Sequence, residues 1–247
     1  MKKNKGFLVI FTLVLILSCI ISKPSYGAEI GKDKKTVYLT FDDGLSPALT
    51  NEIIKVLEKN NIKATFFVAG NNARTNSGVI KKINESGMSI IPHIDTHEYN
   101  KIYSSANSYF DDLKNCENTI LSLTGKSNSK FIRVPGGSDN TIASPNVLSE
   151  IKSNIINSNK YYIDWTVDTE TTQTNIDFIE SHIRECGGLY KVEVVLMHDL
   201  QNKVATVKSL QNTIDFYKEK GYEFKNLDNI EECEINYLKD IRVINKK

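Results

Sequence analysis

Two adjacent carboxylates, Asp42 and Asp43, close the apolar run TVYLTF and are followed at once by Gly44. Ionised neighbours repel one another and resist desolvation, so the end of a packed strand is a costly place for an idle pair. Something positive belongs beside them. The chain has four histidines; His93 and His97 fall in the string HIDTH, and His198 ends the run VEVVLMH. A His-x-x-x-His spacing brings both rings to one side of a helical turn or a tight loop. Two imidazoles and one carboxylate make a three-ligand set for a divalent metal, with positions left open for water and substrate. If Asp43 is that carboxylate, a cation neutralises it and Asp42 can stay ionised beside it as a general base. Capping of the helix expected near Ser46 is the other use for an aspartate here. It accounts for one of the two.

Delivering these side chains to one place takes elements whose ends converge. Short apolar runs, TVYLTF, ATFFVA, MSIIPHI, KFIRV, YYIDWTV and VEVVLMH, alternate with stretches of helical periodicity such as ALTNEIIKVLEKNN, SYFDDLKNCENTILSLTG, IDFIESHIREC and TVKSLQNTIDFYKEKG, and YEFKNL closes the series. Such alternation predicts an α/β domain with a parallel sheet, because parallel neighbours need crossover connections. Six or seven units can close into a barrel. The ionisable residues then recur at one place in each unit: Asp42 and Asp43 after the first strand, His93 and His97 after the third, Arg133 at the end of the fourth, Asp168 of the fifth and His198 of the sixth. Those carboxyl ends share the face on which parallel-barrel enzymes build their sites. With no repeat and no Ser/Gly-rich linker, a single domain is expected.

The start of the chain reads differently. Lys2, Lys3 and Lys5 precede an apolar stretch at residues 7–21, and Ser25, Gly27 and Ala28 follow. This is the pattern of a secretory signal over residues 1–28, cleaved after Gly27 or Ala28, which leaves residues 29–247 as the functional domain. An uncleaved anchor and a lipid-modified Cys19 are the alternatives. Without the first 27 residues and their four lysines, the formal charge of +1 becomes −3, which gives no basis for a nucleic-acid or membrane-surface binder. About 220 residues remain, enough for one well-buried core. Cys116, Cys186 and Cys233 also remain, an odd number without metal spacing, and are read as small apolar fillers. His182, in ESHIRE, is read as a solvated helix residue.

TFDDG, HIDTH, RVPGG, DWTVD and VVLMHD, in that order across residues 36–229, resemble the five motifs of the polysaccharide deacetylase family, which acts on chitin, chitooligosaccharides and peptidoglycan. The resemblance implies a distorted (β/α) barrel of about seven parallel strands and a metal-dependent hydrolase, usually with zinc, that removes acetyl groups from sugars. It makes Asp42 the base and Asp43, His93 and His97 the metal ligands. His198 becomes the acid that protonates the leaving amine, Asp168 its carboxylate partner, and Arg133 the residue that orients the base. Leu196 and Trp165 become walls of the acetyl pocket and groove. Hydrolysis of an unactivated amide independently requires a nucleophile, stabilisation of the oxyanion and a proton for the amine. Arg133 as a surface ion pair and Trp165 as ordinary core are the competing structural readings.

The chain departs from the family pattern in two motifs. Gly136 and Gly137 follow Pro135 where an aromatic commonly precedes the glycine, so Gly136 keeps a backbone N–H for the oxyanion while the groove loses a ring. Ile94 and Pro92 replace the usual hydroxyl residue and asparagine around His93, so a hydrogen bond supporting the metal ligands must be absent or supplied elsewhere. The expected protein is an exported N-deacetylase of an envelope amino-sugar polymer, peptidoglycan first, that acts as a monomer. Chitooligosaccharide, exopolysaccharide and acetylxylan remain as alternative substrates, and a non-catalytic carbohydrate-binding protein as an alternative class. A phosphoesterase would want more convergent positive charge than Arg133 alone.

Overall fold

The computed structural model describes residues 30–31, 33–126, 129–169 and 175–246. The expected export signal lies outside them. In chain order the strands are β1 (Thr36–Asp42), β2 (Thr65–Val68), β3 (Ser89–Pro92), β4 (Phe131–Ile132), β5 (Tyr161–Tyr162), β6 (Val167–Asp168), β7 (Val192–His198) and β8 (Glu223–Lys225). The helices are α1 (Pro47–Lys59), α2 (Gly70–Thr75), α3 (Ser77–Glu85), α4 (Tyr99–Ile102), α5 (Ala106–Thr124), α6 (Pro145–Asn157), α7 (Ile176–Cys186), α8 (Val204–Glu219) and α9 (Glu232–Asp240). The four stretches of helical periodicity form α1, α5, α7 and α8.

β1 is buried along its whole length, as a central strand covered on both faces must be. One edge pairs with β7 from Thr36 to Asp42. The other meets β8 over its first half and β2 over its second. β3 extends the sheet beyond β2, β6 extends it beyond β7, and β4 and β5 pair with each other. All these ladders are parallel. The parallel sheet is the one that the alternation predicts, and its closure is the distorted α/β barrel that the family resemblance implies.

The pleat decides which side chains face inward, since successive residues point to opposite faces. Val37, Leu39 and Phe41 of β1, with Val195 and Met197 of β7, pack outward against Ile53, Ile54 and Leu57 of α1 and Leu210, Ile214 and Tyr217 of α8. Each such fully buried aliphatic chain is worth about 1.5–3 kcal/mol. The alternate residues, including Tyr38, Phe67, Ile91, Val192 and Val194, fill the interior, where Leu227 and the α9 residues Ile235 and Leu238 join them. The same inward columns then change character toward the carboxyl ends, running Tyr38, Thr40, Asp42 on β1 and Val194, Leu196, His198 on β7. An apolar plug below therefore supports an ionisable layer above.

The expected run YYIDWTV is not one strand. β5 ends at Tyr162 and β6 begins at Val167, because the segment changes partners: Ile163 N–H donates to Ile132 on the β4 side, whereas Thr166 N–H donates to Val194 on β7. Between them, the carbonyls of Ile163 and Asp164 accept from the Arg133 side chain. Backbone groups that a continuous ladder would use are spent on a guanidinium.

Candidate active site

Arg133 is fully buried just past β4. Its Nη1 donates to Asp42 Oδ1 and to Thr40 Oγ1, both at 2.8 Å, while Nε and Nη2 donate to the carbonyls of Ile163 (3.2 Å) and Asp164 (3.1 Å). Its guanidinium carbon lies 4.1 Å from the centre of the Phe67 ring. A buried charge is tolerated only when paired and hydrogen-bonded, and here four acceptors surround it. The surface-pair reading of Arg133 is excluded. Asp42 is thereby held by one oxygen at the mouth of the barrel.

Asp43 has a different environment. Its φ is +68°, and that of His97 is +57°, left-handed backbone that non-glycine residues seldom adopt and that gathers at functional sites. Asp43 Oδ1 lies 3.3 Å from His93 Nε2 and 3.0 Å from His97 Nε2, and Oδ2 lies 3.8 Å from His198 Nε2. Oδ1 is buried yet has no hydrogen bond of acceptable geometry. One donor atom from each of Asp43, His93 and His97 falls within 4.8 Å of the others. Metal bonds of about 2.0–2.2 Å at tetrahedral angles separate donors by roughly 3.3–3.6 Å, so the N, N, O set fits a divalent cation. Burial alone would raise the Asp43 pKa, but the two adjacent imidazoles hold it well below the carboxylate range. Burial works against charge on His97, and Asp43 outweighs it and raises that pKa.

Neither aspartate caps a helix. Ser46 precedes α1 with no side-chain cap, and Pro47 begins the helix, where a missing N–H costs nothing. The turn is fixed from the opposite side. Asp199, after β7, is buried and accepts from the Thr50 hydroxyl at 2.6 Å, while Thr50 Oγ1 accepts from Ser46 N at 3.0 Å. A Cβ on Gly44 would overlap the Asp199 carboxylate. That close approach is why glycine follows the two aspartates.

Asp42, Asp43, His93, His97, Gly136, Trp165, Asp168, Leu196 and His198 line one pocket of about 190 Å³, and Arg133 sits behind Asp42. All ten candidate residues therefore converge. Ligand clefts that enclose their ligand usually span about 300–1,000 Å³, so this pocket suits one substituent of a larger molecule lying across its mouth. Larger hollows, such as one of about 600 Å³ around Met88, Ile90 and Asp228, hold no comparable convergence. Gly136 and Gly137 have φ of +77° and +90°. The Trp165 ring lies against Gly137, close to where a Cβ would stand, so it covers part of the wall that the third motif leaves bare. Trp165 is half-buried pocket wall rather than plain core.

Several residues here carried no recognised signal in the sequence. Tyr99 lines the pocket, 4.8 Å from His97 between ring centres, and stacks on Tyr103. Asp164 accepts from Ser138 N and Oγ at 2.9 and 2.6 Å and so anchors the Gly136–Gly137 turn. Asp199 stood in the motif VVLMHD without a role. Its place beside the Asp43 turn depends on the β1–β7 register, which no local pattern encodes. His182 is half-buried and stacked on Phe178 rather than solvated. The three cysteines are free, and the filler reading holds only for Cys116, since Cys186 and Cys233 are partly exposed.

The comparisons with known proteins bear on the family and the fold. The polysaccharide deacetylase family model matches residues 29–154. A peptidoglycan-N-acetylglucosamine deacetylase of Bacillus cereus is 30% identical over 220 residues, covering 86% of this chain and 77% of the relative. The catalytic domain of a peptidoglycan N-acetylglucosamine deacetylase from Eubacterium rectale superposes with a TM-score of 0.73 at 30% identity, covering 83% of this chain and 94% of that one. A CE4 family pseudoenzyme from Bacillus anthracis shares the fold at a TM-score of 0.66 and 23% identity, over 81% of this chain and 66% of that one. With the ordered motifs, the parallel barrel and a 30% identical relative spanned over most of its length, the chain belongs to the polysaccharide deacetylase family.

Proposed function

We propose that the protein is an exported, metal-dependent N-deacetylase that hydrolyses the acetamido group of an amino-sugar polymer, peptidoglycan foremost. The observation that carries this reading is the convergence of Asp43, His93 and His97 within 4.8 Å, beside the buried Asp42–Arg133 pair, on one rim of the barrel. Asp43, His93 and His97 would hold one divalent ion, zinc by the chemistry of the donor set, and the ion would supply Lewis-acid polarisation of the acetyl carbonyl and of the attacking water.

The chain's own residues do the rest. Arg133 engages Asp42 Oδ1, and Oδ2 is the oxygen we assign to accept a proton from the attacking water. The Gly136 N–H is assigned to the developing oxyanion, and Leu196 and Trp165 to the walls around the acetyl methyl. His198, with Asp168 on the neighbouring strand, gives the proton that lets the nitrogen depart as an amine. Water and amide become acetate and a free amino sugar. Peptidoglycan as substrate is supported by the names of the similar proteins, and export by the basic and apolar start of the sequence.

Acetate release from defined peptidoglycan fragments, chitooligosaccharides and acetylated xylan, with and without a chelator, tests the reading. We expect chelator-sensitive release from the amino-sugar substrates, with peptidoglycan fragments fastest. Release from acetylated xylan alone would make the enzyme an esterase, and release from none would favour the carbohydrate-binding alternative.

A further inference from the structure

Metal-ligating histidines usually donate their second ring N–H to a carboxylate or carbonyl, which fixes ring orientation. His93 departs from this: Nδ1 is buried with no hydrogen-bond partner. The next residue, Ile94, is fully buried and packs with Ile102 and Tyr103, so no hydroxyl there can help. If the ring is not fixed through its far nitrogen, the loop must be fixed through its backbone.

The loop is tied on two sides. On the barrel side, His93 N donates to Val68 O, Gly70 N to Ile94 O, and Asn71 N to Asp95 O, at 2.9–3.0 Å. On the other, Asp112 of α5 takes three hydrogen bonds in its carboxylate: Oδ1 accepts from Asp95 N (2.6 Å) and Thr96 N (3.0 Å), and Oδ2 accepts from Thr96 Oγ1 (2.7 Å). The very next residue is His97, in left-handed backbone. The Asp95 side chain is meanwhile held by Arg74 through bonds of 2.7 and 2.8 Å.

Asp112 is an unusual residue for its place. It is buried, on the helix face formed by Ala106, Tyr109, Leu113, Cys116 and Ile120. A carboxylate on an apolar stripe is costly unless its oxygens are satisfied, and all three donors to it come from the two residues that precede His97.

We propose that Asp112 is a positioning residue of the metal centre: by clasping Asp95 and Thr96 it sets the backbone from which His97 reaches the ligand set, replacing the hydroxyl that Ile94 lacks. The proposal rests on the assignment of Asp43, His93 and His97 as ligands.

The test is zinc affinity of the purified chain by competition with a chromophoric chelator, together with the visible spectrum of the cobalt-loaded protein. Asp112→Ala removes all three acceptor contacts and should weaken zinc about 10- to 100-fold and alter the cobalt bands. Asp112→Asn keeps an acceptor for both amides and presents an N–H to the Thr96 hydroxyl, and should stay close to the wild type. Thr96→Val, which loses the bond to Asp112 and a longer one that the hydroxyl accepts from Glu98 N (3.4 Å), should fall between. Wild-type affinity and spectrum in Asp112→Ala would overturn the proposal, as would an Asp112→Asn variant as impaired as the alanine. If Asp112→Ala does not fold, Thr96→Val decides, and unchanged zinc affinity there would overturn it. His97→Ala separates the two levels: zinc binding unchanged in that variant removes the ligand assignment itself, whereas lost binding there with normal binding in Asp112→Ala removes only the clasp.

Discussion

Asp42 and Asp43 are joined by one peptide bond and sit in opposite physical situations. Asp42 ends a regular strand, and its charge is met by a fully buried arginine whose other hydrogen bonds are donated to Thr40, Ile163 and Asp164. Asp43 stands in left-handed backbone among three imidazoles, and its buried Oδ1 lacks a proper hydrogen bond. The first environment is closed by the protein alone. The second has the donor set of a divalent-cation site. Local rules that a stable fold normally obeys are broken on one side of a single peptide unit and kept on the other, and such breaks are expected where function resides.

The largest effect should come from breaking the closed side. Arg133→Leu leaves Asp42 buried without its partner, and removing one member of a buried pair costs about 3–5 kcal/mol. Denaturant titration of the variant measures it. Arg133→Lys should recover little, since one ammonium cannot span the four acceptors that the guanidinium reaches.

A smaller effect is expected at the pocket wall. Trp165→Ala and Tyr99→Ala each remove a ring from the pocket mouth while leaving the Asp43 group intact. A roughly 2- to 10-fold rise in KM, in line with about 0.5–1.5 kcal/mol for an aromatic contact, should appear in acetate-release kinetics with little change in zinc content. A loss of zinc in either variant would mean that these rings support the ligands instead.

A further effect is electrostatic and appears in the metal-free protein. Burial, chiefly, pushes the Asp199 carboxyl up to about 7. A folded state that holds this proton more tightly than the unfolded chain binds more protons between about pH 4 and about pH 7, so stability falls as pH rises through that window. Asp199→Asn cannot titrate, and its Tm should fall less over the same range. Parallel Tm profiles for the two proteins would show that Asp199 does not titrate there.

The sequence made the ionisable face legible because parallel strands deliver their carboxyl ends to one side, and the first, third, fourth, fifth and sixth apolar runs carry or meet an ionisable residue there that a core would not choose. Strand limits were less legible. YYIDWTV is apolar enough to read as one strand, but the buried Arg133 takes its middle carbonyls, and nothing local announces that. Asp112 did leave a trace, a charge on the apolar stripe of SYFDDLKNC. Its partners lie 16 and 17 residues away, however, and only the tertiary fold connects them. Gly44 is similar, since its necessity comes from Asp199 across the β1–β7 ladder. That the same fold occurs in a pseudoenzyme also means that activity has to be argued from the site and not from the barrel.

The division of labour between the two aspartates is tested most directly by measuring bound zinc and acetate release together for Asp42→Asn and Asp43→Asn, at low and high zinc. Asp42→Asn should keep its metal and lose about 10²- to 10⁴-fold in rate, the usual contribution of a general base, with no recovery at high zinc. Asp43→Asn should lose metal at low zinc and regain part of its activity when zinc is raised, because an anionic ligand is gone while the base remains. Rescue of Asp42→Asn by zinc, or near-normal activity in both variants, would contradict the account.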